Sequence, residues 1–283
     1  MKRQFIKPLL AGMLLLSGLF LVVTQFGRLE RFLGLLGHID SRWITAATLF
    51  QFGTYFSLAL VWKQALRHGG IRCSFRSLLP LAIAKLFADQ ALPTGGISGI
   101  AFFVGSLRCR GISAAVGMGT MLVSILSYYG AYVLAALASI LLLWLYHEMQ
   151  AWIVFVSVIF FAVAVAIPAA ALLLKQLGAR ELPEWLKRFP VIPGLLDVYA
   201  AAPAQMIRRP VLLFQATLFH VFIFLFDAAT LWAMLQSLGR PVSLLQAFPC
   251  FVLASMVATL LLRGFTLWLP MLPGLWLTRR ELL

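Results

Sequence analysis

The chain has 283 residues, of which 62% are hydrophobic and only 11% are charged, and it carries 23 Lys and Arg against 9 Asp and Glu. A soluble domain has roughly 45–50% apolar and about 25% charged residues, so the composition excludes a water-soluble globule, a disordered chain and a disulfide-stapled secreted domain. The net charge of +14 does not indicate nucleic-acid binding, because the basic residues lie in short gaps between apolar runs, where anionic lipids are the usual partner. The chain is therefore predicted to be an all-α, polytopic transmembrane helix bundle that forms one integral membrane domain over residues 1–283.

Six apolar runs are long enough to cross roughly 30 Å of hydrocarbon, which requires about 20 residues of helix. They are residues 8–27, 43–62, 111–146, 149–174, 211–238 and 241–262. The third run is longer than one straight span requires. We expect this run to tilt, or to bend near Gly117 and Gly119 or at Gly130.

Basic residues determine the predicted orientation, because cytosolic loops carry an excess of Lys and Arg. The first apolar run follows three basic residues and lacks a small-x-small cleavage site, so an uncleaved span is favoured over a secretory signal peptide. Segments 63–76 and 175–210 are rich in Lys and Arg, whereas residues 147–150 contain neither. We therefore predict that both basic segments and the N-terminus are cytosolic.

The predicted orientation constrains the apolar segment at about 77–107. The second span ends and the third begins on the cytosolic side, so this segment must enter and leave the membrane on one face as a re-entrant hairpin. Its turn contains one proline and three glycines between Pro93 and Gly99. Broken backbone at membrane depth is tolerated only where protein or a water-filled cavity satisfies its polar groups. A second helix is predicted to start near Ser98, and its free N–H groups suit a carboxylate or phosphate.

Charged residues in this hairpin mark a candidate substrate-binding site. Lys85 and Asp89 are four residues apart, hence on one helical face, and an intramembrane ion pair is costly enough to indicate a site. The candidate residues are Lys85, Asp89, Pro93, Thr94, Gly95, Gly96, Ser98, Gly99, Arg108 and Arg110. In the alternative interpretation, Gly95 and Gly99 only let helices pack closely, and the two charges of the pair merely cancel.

Three further polar residues lie in or beside later apolar runs. His220 and Asp227 are seven residues apart, so both can face the bundle interior, either to form interhelical hydrogen bonds or to take a proton-linked or substrate-contacting role. Arg263 can pair with Asp227, although snorkelling to the interface is favoured.

Segment 175–210 is predicted to be an amphipathic segment on anionic lipid, with a regulatory or partner-binding role as the alternative.

Catalytic and metal-binding motifs are absent from the sequence. It contains no phosphate-binding glycine loop, no His-Glu-x-x-His motif and no Cys-x-x-Cys motif, so we predict no catalytic residue, no metal site and no cofactor. Cys73 and Cys109 lie beside predicted cytosolic loops and Cys250 lies in an apolar run, which implies no disulfide framework.

Two stretches resemble a known family. They are LPTGGISG at 92–99, followed by LR at 107–108 and GISAA at 111–115, and LLRGFTLWLPMLPG at 261–274. These residues resemble the flippase-like transmembrane region of lysylphosphatidylglycerol synthases and of their stand-alone bacterial relatives. The resemblance implies a multi-pass protein of the bacterial plasma (inner) membrane that handles anionic or aminoacylated phospholipids. The resemblance implies that membrane phospholipids are the partners, and it is compatible with assembly into a homo-oligomer.

The sequence departs from this family in one segment. Members usually carry a second glycine-rich re-entrant element with an acidic residue, whereas here residues 253–260 continue directly into Leu261, Leu262 and Arg263. The departure keeps two alternatives beside a flippase-like protein, namely a membrane-embedded enzyme that modifies lipid headgroups and a shortened, non-transporting member. The aminoacyl-transferase domain of the synthases has no counterpart in these residues.

Overall fold

The structure, a computed structural model, describes residues 40–91, 97–177, 200–240 and 242–268. Within these ranges it describes all side chains except those of residues 90, 91, 97, 98, 174–177 and 261–268. The predicted first span, at 8–27, lies outside the described residues.

All regular secondary structure in the described ranges is α-helical. The helices are α1 (Ser41–His68), α2 (Phe75–Ala91), α3 (Ile97–Arg108), α4 (Ala114–Leu145), α5 (Ala151–Leu177), α6 (Ala204–Ile207), α7 (Pro210–Ser237) and α8 (Leu244–Trp268). Four of them, α1, α4, α5 and α7, are long and apolar enough to cross a membrane. The predicted all-α, polytopic helix bundle is thus confirmed.

Helix α4 passes through all three of its predicted bend positions without a break. The Ser113 hydroxyl accepts a hydrogen bond from the Val116 backbone N–H at 3.4 Å and caps its start. The 32 residues of the helix make a rod of about 48 Å. Its glycines provide close contacts instead of breaks, since a Cβ at Gly117 or at Gly130 would lie 3.4 Å from a side-chain atom of a neighbouring helix.

Helices α4 and α7 form the centre of the bundle. Helix α4 packs against α1, α3, α5, α6, α7 and α8, and α7 packs against α1, α4, α6 and α8. The contact of α7 with α1 is tight at Gly53, where an added Cβ would lie 2.9 Å from the ring of Phe226. Near one end of the pair, the ring of Trp43 meets that of Trp232 edge-on, with centroids 5.0 Å apart. Glycine therefore lets an aromatic ring of α7 lie directly on the α1 backbone.

The described basic residues concentrate at one end of the bundle, which we call the basic end. It comprises the end of α1, the start of α2, the end of α3, the start of α4 and the residues before α7. It carries Arg67, Arg72, Arg76, Arg108, Arg110, Arg208 and Arg209. The opposite end, where the Asp40 N–H donates to the Ser237 carbonyl, carries Arg42 and Arg240 together with Asp40 and Glu148.

The last part of segment 175–210 packs into the basic end. Residues 178–199 lie outside the described part of the chain, but Ala202 and Met206 are only 3% and 1% exposed. A Cβ at Gly119 would lie 3.0 Å from the Met206 sulfur, and one at Gly69 would lie 3.3 Å from it. Short helix α6 therefore wedges a methionine between α1 and α4, so this part of the segment is a bundle element rather than a purely surface-lying one.

Substitution of Gly53 tests the packing of α1 against α7. Gly53→Ala places a methyl group against the face of Phe226, and overpacking of this kind costs about 1–3 kcal/mol. We expect a lower midpoint of thermal unfolding in detergent. The matched control is Gly105→Ala on α3, where an added Cβ meets nothing within 4 Å and the helix gains about 0.5–1 kcal/mol. Equal midpoints for the two variants would contradict the described contact.

Candidate functional site

Helices α2 and α3 form an antiparallel hairpin. At its base, Arg110 Nη1 donates a hydrogen bond to the Ser77 carbonyl oxygen at 3.2 Å. At its tip, the side chain of Asp89 lies against Gly99. Residues 92–96, which connect the helices, lie outside the described residues. The two stretches therefore run in opposite directions, as the sequence predicts for residues 77–107.

Aromatic packing anchors the hairpin to α1. The Trp62 side chain is completely buried, and its ring centroid is 4.3 Å from that of Phe103 on α3. Leu78 and Leu107, one from each arm, are also fully buried in the same cluster. Burial of a large apolar side chain contributes about 1.5–3 kcal/mol in a water-soluble core; between membrane helices the gain comes from close packing. The anchor fixes the hairpin relative to the bundle and so fixes the position of its tip.

The tip of the hairpin holds the ion pair that the sequence predicts. Lys85 Nζ and Asp89 Oδ2 are 2.5 Å apart, and the two side chains are 20% and 19% exposed. The other carboxylate oxygen, Asp89 Oδ1, is buried and has no hydrogen-bond partner among the described residues. A Cβ at Gly99 would lie 2.0 Å from this oxygen, so no residue larger than glycine fits beneath the carboxylate.

The carboxylate of Asp89 occupies the place where a bound anion is predicted. It lies beside the first turn of α3, where the partial positive charge of a helix N-terminus favours a negative group. Helix α3 begins at Ile97, so Ser98 lies inside its first turn, and the predicted start near Ser98 is one residue late. The turn is therefore next to an anionic group of the protein itself, and a ligand there must accommodate both charges of the ion pair.

The remaining predicted site residues do not gather at the tip. Pro93, Thr94, Gly95 and Gly96 lie outside the described residues, as does the side chain of Ser98. Arg108 and Arg110 lie at the base, and α3 separates them from the tip by about 16 Å of helix rise. The structure thus places the positive charges of the hairpin in two groups, at opposite ends, rather than around one cradle.

A second polar pair lies close to the tip. His220 on α7 is 2% exposed, and its Nδ1 lies 2.9 Å from the Ala216 carbonyl oxygen and 3.2 Å from Ser127 Oγ on α4. A carbonyl oxygen only accepts, so Nδ1 carries the proton in this arrangement. The Ser127 hydroxyl donates to the Val123 carbonyl oxygen at 2.6 Å. Lys85 is within electrostatic range of His220, and we call Lys85, Asp89, Ser127 and His220 the hairpin-tip cluster.

Asp227 has a different neighbour from His220. The Thr54 hydroxyl on α1 donates to Asp227 Oδ1 at 2.7 Å. His220 and Asp227 therefore both face neighbouring helices, as their spacing predicts. They contact different helices, α4 and α1 respectively, and do not form one pair. The side chain of Arg263 lies outside the described residues.

Ser127 and Thr54 are not among the residues predicted from the sequence to lie at the site. Hydroxyl side chains within apolar runs are the signal that could have found them, because such groups form interhelical hydrogen bonds in membranes. The sequence does not specify which helix each one meets. Among the described residues, no group of three His, Cys, Asp or Glu could hold a metal ion.

Comparison with known protein families identifies the class of protein. The family model described as the lysylphosphatidylglycerol synthase TM region matches residues 9–263. The chain belongs to this family, and it is a multi-pass membrane protein with a membrane lipid-related function. No curated protein and no solved structure gives a significant match to the chain.

The contact between Asp89 and Gly99 can be tested by a double-mutant cycle. Gly99→Ala must displace the carboxylate, and we expect the free energy of unfolding to fall by about 1–3 kcal/mol. In an Asp89→Ala background the same glycine substitution should cost far less, because the obstructing group is gone. Thermal unfolding of the four proteins in detergent measures the coupling. Strictly additive effects would refute the contact.

Proposed function

We propose that the protein is a lipid-handling, flippase-like membrane protein that acts on anionic or aminoacylated phospholipids. The observation that carries the proposal is the Lys85–Asp89 pair, which is four-fifths buried at the tip of the α2–α3 hairpin and retains one carboxylate oxygen without a hydrogen-bond partner among the described residues. Ionisable groups inside a membrane domain are costly and mark substrate pathways. Membership of the lipid-related family supports the same interpretation.

The chemistry of the pair suits a phospholipid headgroup. A lysine ammonium has three donors, of which the contact with Asp89 Oδ2 uses one, so it retains donors for a phosphate. Asp89 Oδ1 is buried against Gly99, so a hydroxyl or ammonium donor of the headgroup reaches it once the carboxylate turns away from the glycine. A headgroup that offers both a phosphate and a hydrogen-bond donor therefore matches the remaining donors of Lys85 and the carboxylate of Asp89.

Charge distribution supports the proposed topology. The basic end carries seven described arginines (named above) and no described Asp or Glu, and an excess of basic residues marks the cytosolic side. We therefore place the basic end in the cytosol of a bacterium, with the protein in the inner membrane. The hairpin then enters and leaves on the cytosolic side, and the N-terminus is cytosolic.

The structure bears differently on the two alternative functions, a membrane-embedded enzyme and a non-transporting family member. An enzyme could use the Ser127–His220 pair as nucleophile and base, but the serine donates to the Val123 carbonyl and His220 Nδ1 donates to Ala216, so this histidine nitrogen does not accept the serine proton. A shortened, non-transporting member has one observation in its favour. Helix α8 continues unbroken from Leu244 to Trp268, where the resemblance leads one to expect a second broken element.

A transport assay separates the three functions. The full chain is reconstituted in vesicles with fluorescent phosphatidylglycerol, and movement between leaflets is followed by dithionite quenching. The variant Lys85→Met/Asp89→Asn removes both charges together, which avoids the roughly 3–5 kcal/mol cost of one unpaired buried charge. We expect at least a tenfold slower rate. The matched control, Lys63→Met on α1, removes an exposed charge and should leave the rate unchanged.

Each alternative function predicts a different outcome of this assay. A change in headgroup mass without lipid movement favours the enzyme. No movement and no mass change with the unaltered chain favours the non-transporting member. Equal rates for the charge-free variant and the unaltered chain would refute the hairpin-tip cluster as the transport site.

Cysteine labelling tests the topology of the hairpin. Cys73 precedes α2 and Cys109 follows α3, and both lie at the basic end. With Cys250→Ser as background, a membrane-impermeant maleimide should modify both from the same side of oriented vesicles. Because Cys73 is partly buried whereas Cys109 is exposed, Cys73 should be labelled more slowly than Cys109. Modification from opposite sides would make the segment a full crossing and contradict the re-entrant assignment.

A further inference from the structure

An apolar crevice opens in the bundle between α4, α7 and α8. Its volume is about 250 Å³. All the side chains that line it are apolar, namely those of Leu134, Ala135, Ala138, Val221, Phe224, Leu225 and Phe248. Water needs two to four polar partners to occupy a cavity, so this lining does not hold water.

The crevice faces the surroundings of the membrane-spanning helices. Leu134 and Leu225, on opposite walls, are 53% and 45% exposed, and the inner wall is formed by Phe224, which is buried. In the hydrocarbon region the surrounding medium consists of alkyl chains. An empty slot would forfeit the dispersion contacts of its walls, and an alkyl chain can supply those contacts.

The crevice shares an aromatic wall with His220 of the hairpin-tip cluster. Phe224 lies one helical turn from His220 on α7, a rise of about 6 Å. The Tyr128 ring contacts both residues, with centroid distances of 5.7 Å to His220 and 5.5 Å to Phe224. A polar pair and an apolar slot that share one wall provide adjacent sites for the two parts of an amphipathic molecule.

We propose that this crevice binds one acyl chain of the phospholipid whose headgroup contacts the hairpin-tip cluster. The inference rests on the proposed function, and it adds a second site that recognises the tail of the lipid. A volume of about 250 Å³ admits a segment of alkyl chain, whereas a helix of a second copy, which is about 10–12 Å across, could insert only side chains.

Photo-crosslinking of a lipid tail tests this site. The full chain is reconstituted in vesicles of phosphatidylglycerol containing a trace of phosphatidylglycerol with a diazirine in one acyl chain, and labelled peptides are mapped by mass spectrometry. We expect residues 134–138 and 221–225 to carry at least fivefold more label than the exposed α5 positions Phe155 and Val158. The variant Ala138→Trp fills the mouth of the crevice and should reduce this label to the level of α5.

The matched control is Leu137→Trp. Leu137 is 51% exposed and does not line the crevice, so this variant adds the same indole group to the neighbouring position and should keep the preferential labelling. Label spread evenly over all exposed apolar surfaces, or label unaffected by Ala138→Trp, would overturn the proposal. Disulfide-linked dimers formed through Ala138→Cys in a chain without its native cysteines would overturn it as well, because they would place a second copy at the mouth.

The transport assay distinguishes failure of this inference from failure of the proposed function. Lipid movement with evenly spread label refutes the crevice site and leaves the function standing. Crevice-selective label without lipid movement in the unaltered chain refutes the function and supports a tail-binding site. Where both hold, Ala138→Trp should slow lipid movement at least threefold relative to Leu137→Trp.

Discussion

The hydrocarbon core of a membrane offers no partner for a charge or a free peptide group, so every polar group of this bundle must find its partner within the protein or a ligand. The structure meets this constraint with short-range pairs between helices or within one turn, such as Lys85 with Asp89 and Thr54 with Asp227. Among the described residues, one oxygen of Asp89 and the indole N–H of Trp62 are left without a partner. The Asp89 oxygen belongs to a charged group and lies at the tip of the α2–α3 hairpin, which is why the proposed function is located there.

Close backbone approach follows from the same constraint. Helices in lipid gain little from hiding apolar surface from one another, and they associate through tight packing at small residues. Gly53 accepts an aromatic ring, Gly119 accepts the sulfur of Met206, and Gly99 accepts a carboxylate. Small residues thus allow close helix packing at Gly53 and Gly119, and at Gly99 they also make room for a charged side chain. At Gly99, close packing of the two hairpin helices and placement of the Asp89 carboxylate are one and the same contact.

The sequence predicts the fold well because apolar length and charge asymmetry are strong signals in membrane proteins. The apolar runs containing α1, α4, α5 and α7, the paired spacing of Lys85 and Asp89, and the break before Ile97 are all legible in it. It does not predict that Arg108 and Arg110 lie at the far end of the hairpin from Lys85, because proximity in sequence conceals the length of α3. Nor does it reveal that Met206 enters the core or that Ser127 meets His220, since spacing along one helix does not specify the neighbouring helix.

Electrical neutrality of the Lys85–Asp89 pair has a consequence for energetics. A single elementary charge that crosses a membrane potential of 100 mV exchanges about 2.3 kcal/mol with the field. The two opposite charges of the pair, held 2.5 Å apart, would move together with almost no net electrical work, so any displacement of the hairpin tip would be nearly independent of voltage. Under the proposed function, any voltage dependence of lipid movement past this site would therefore originate mainly in the charge of the lipid itself.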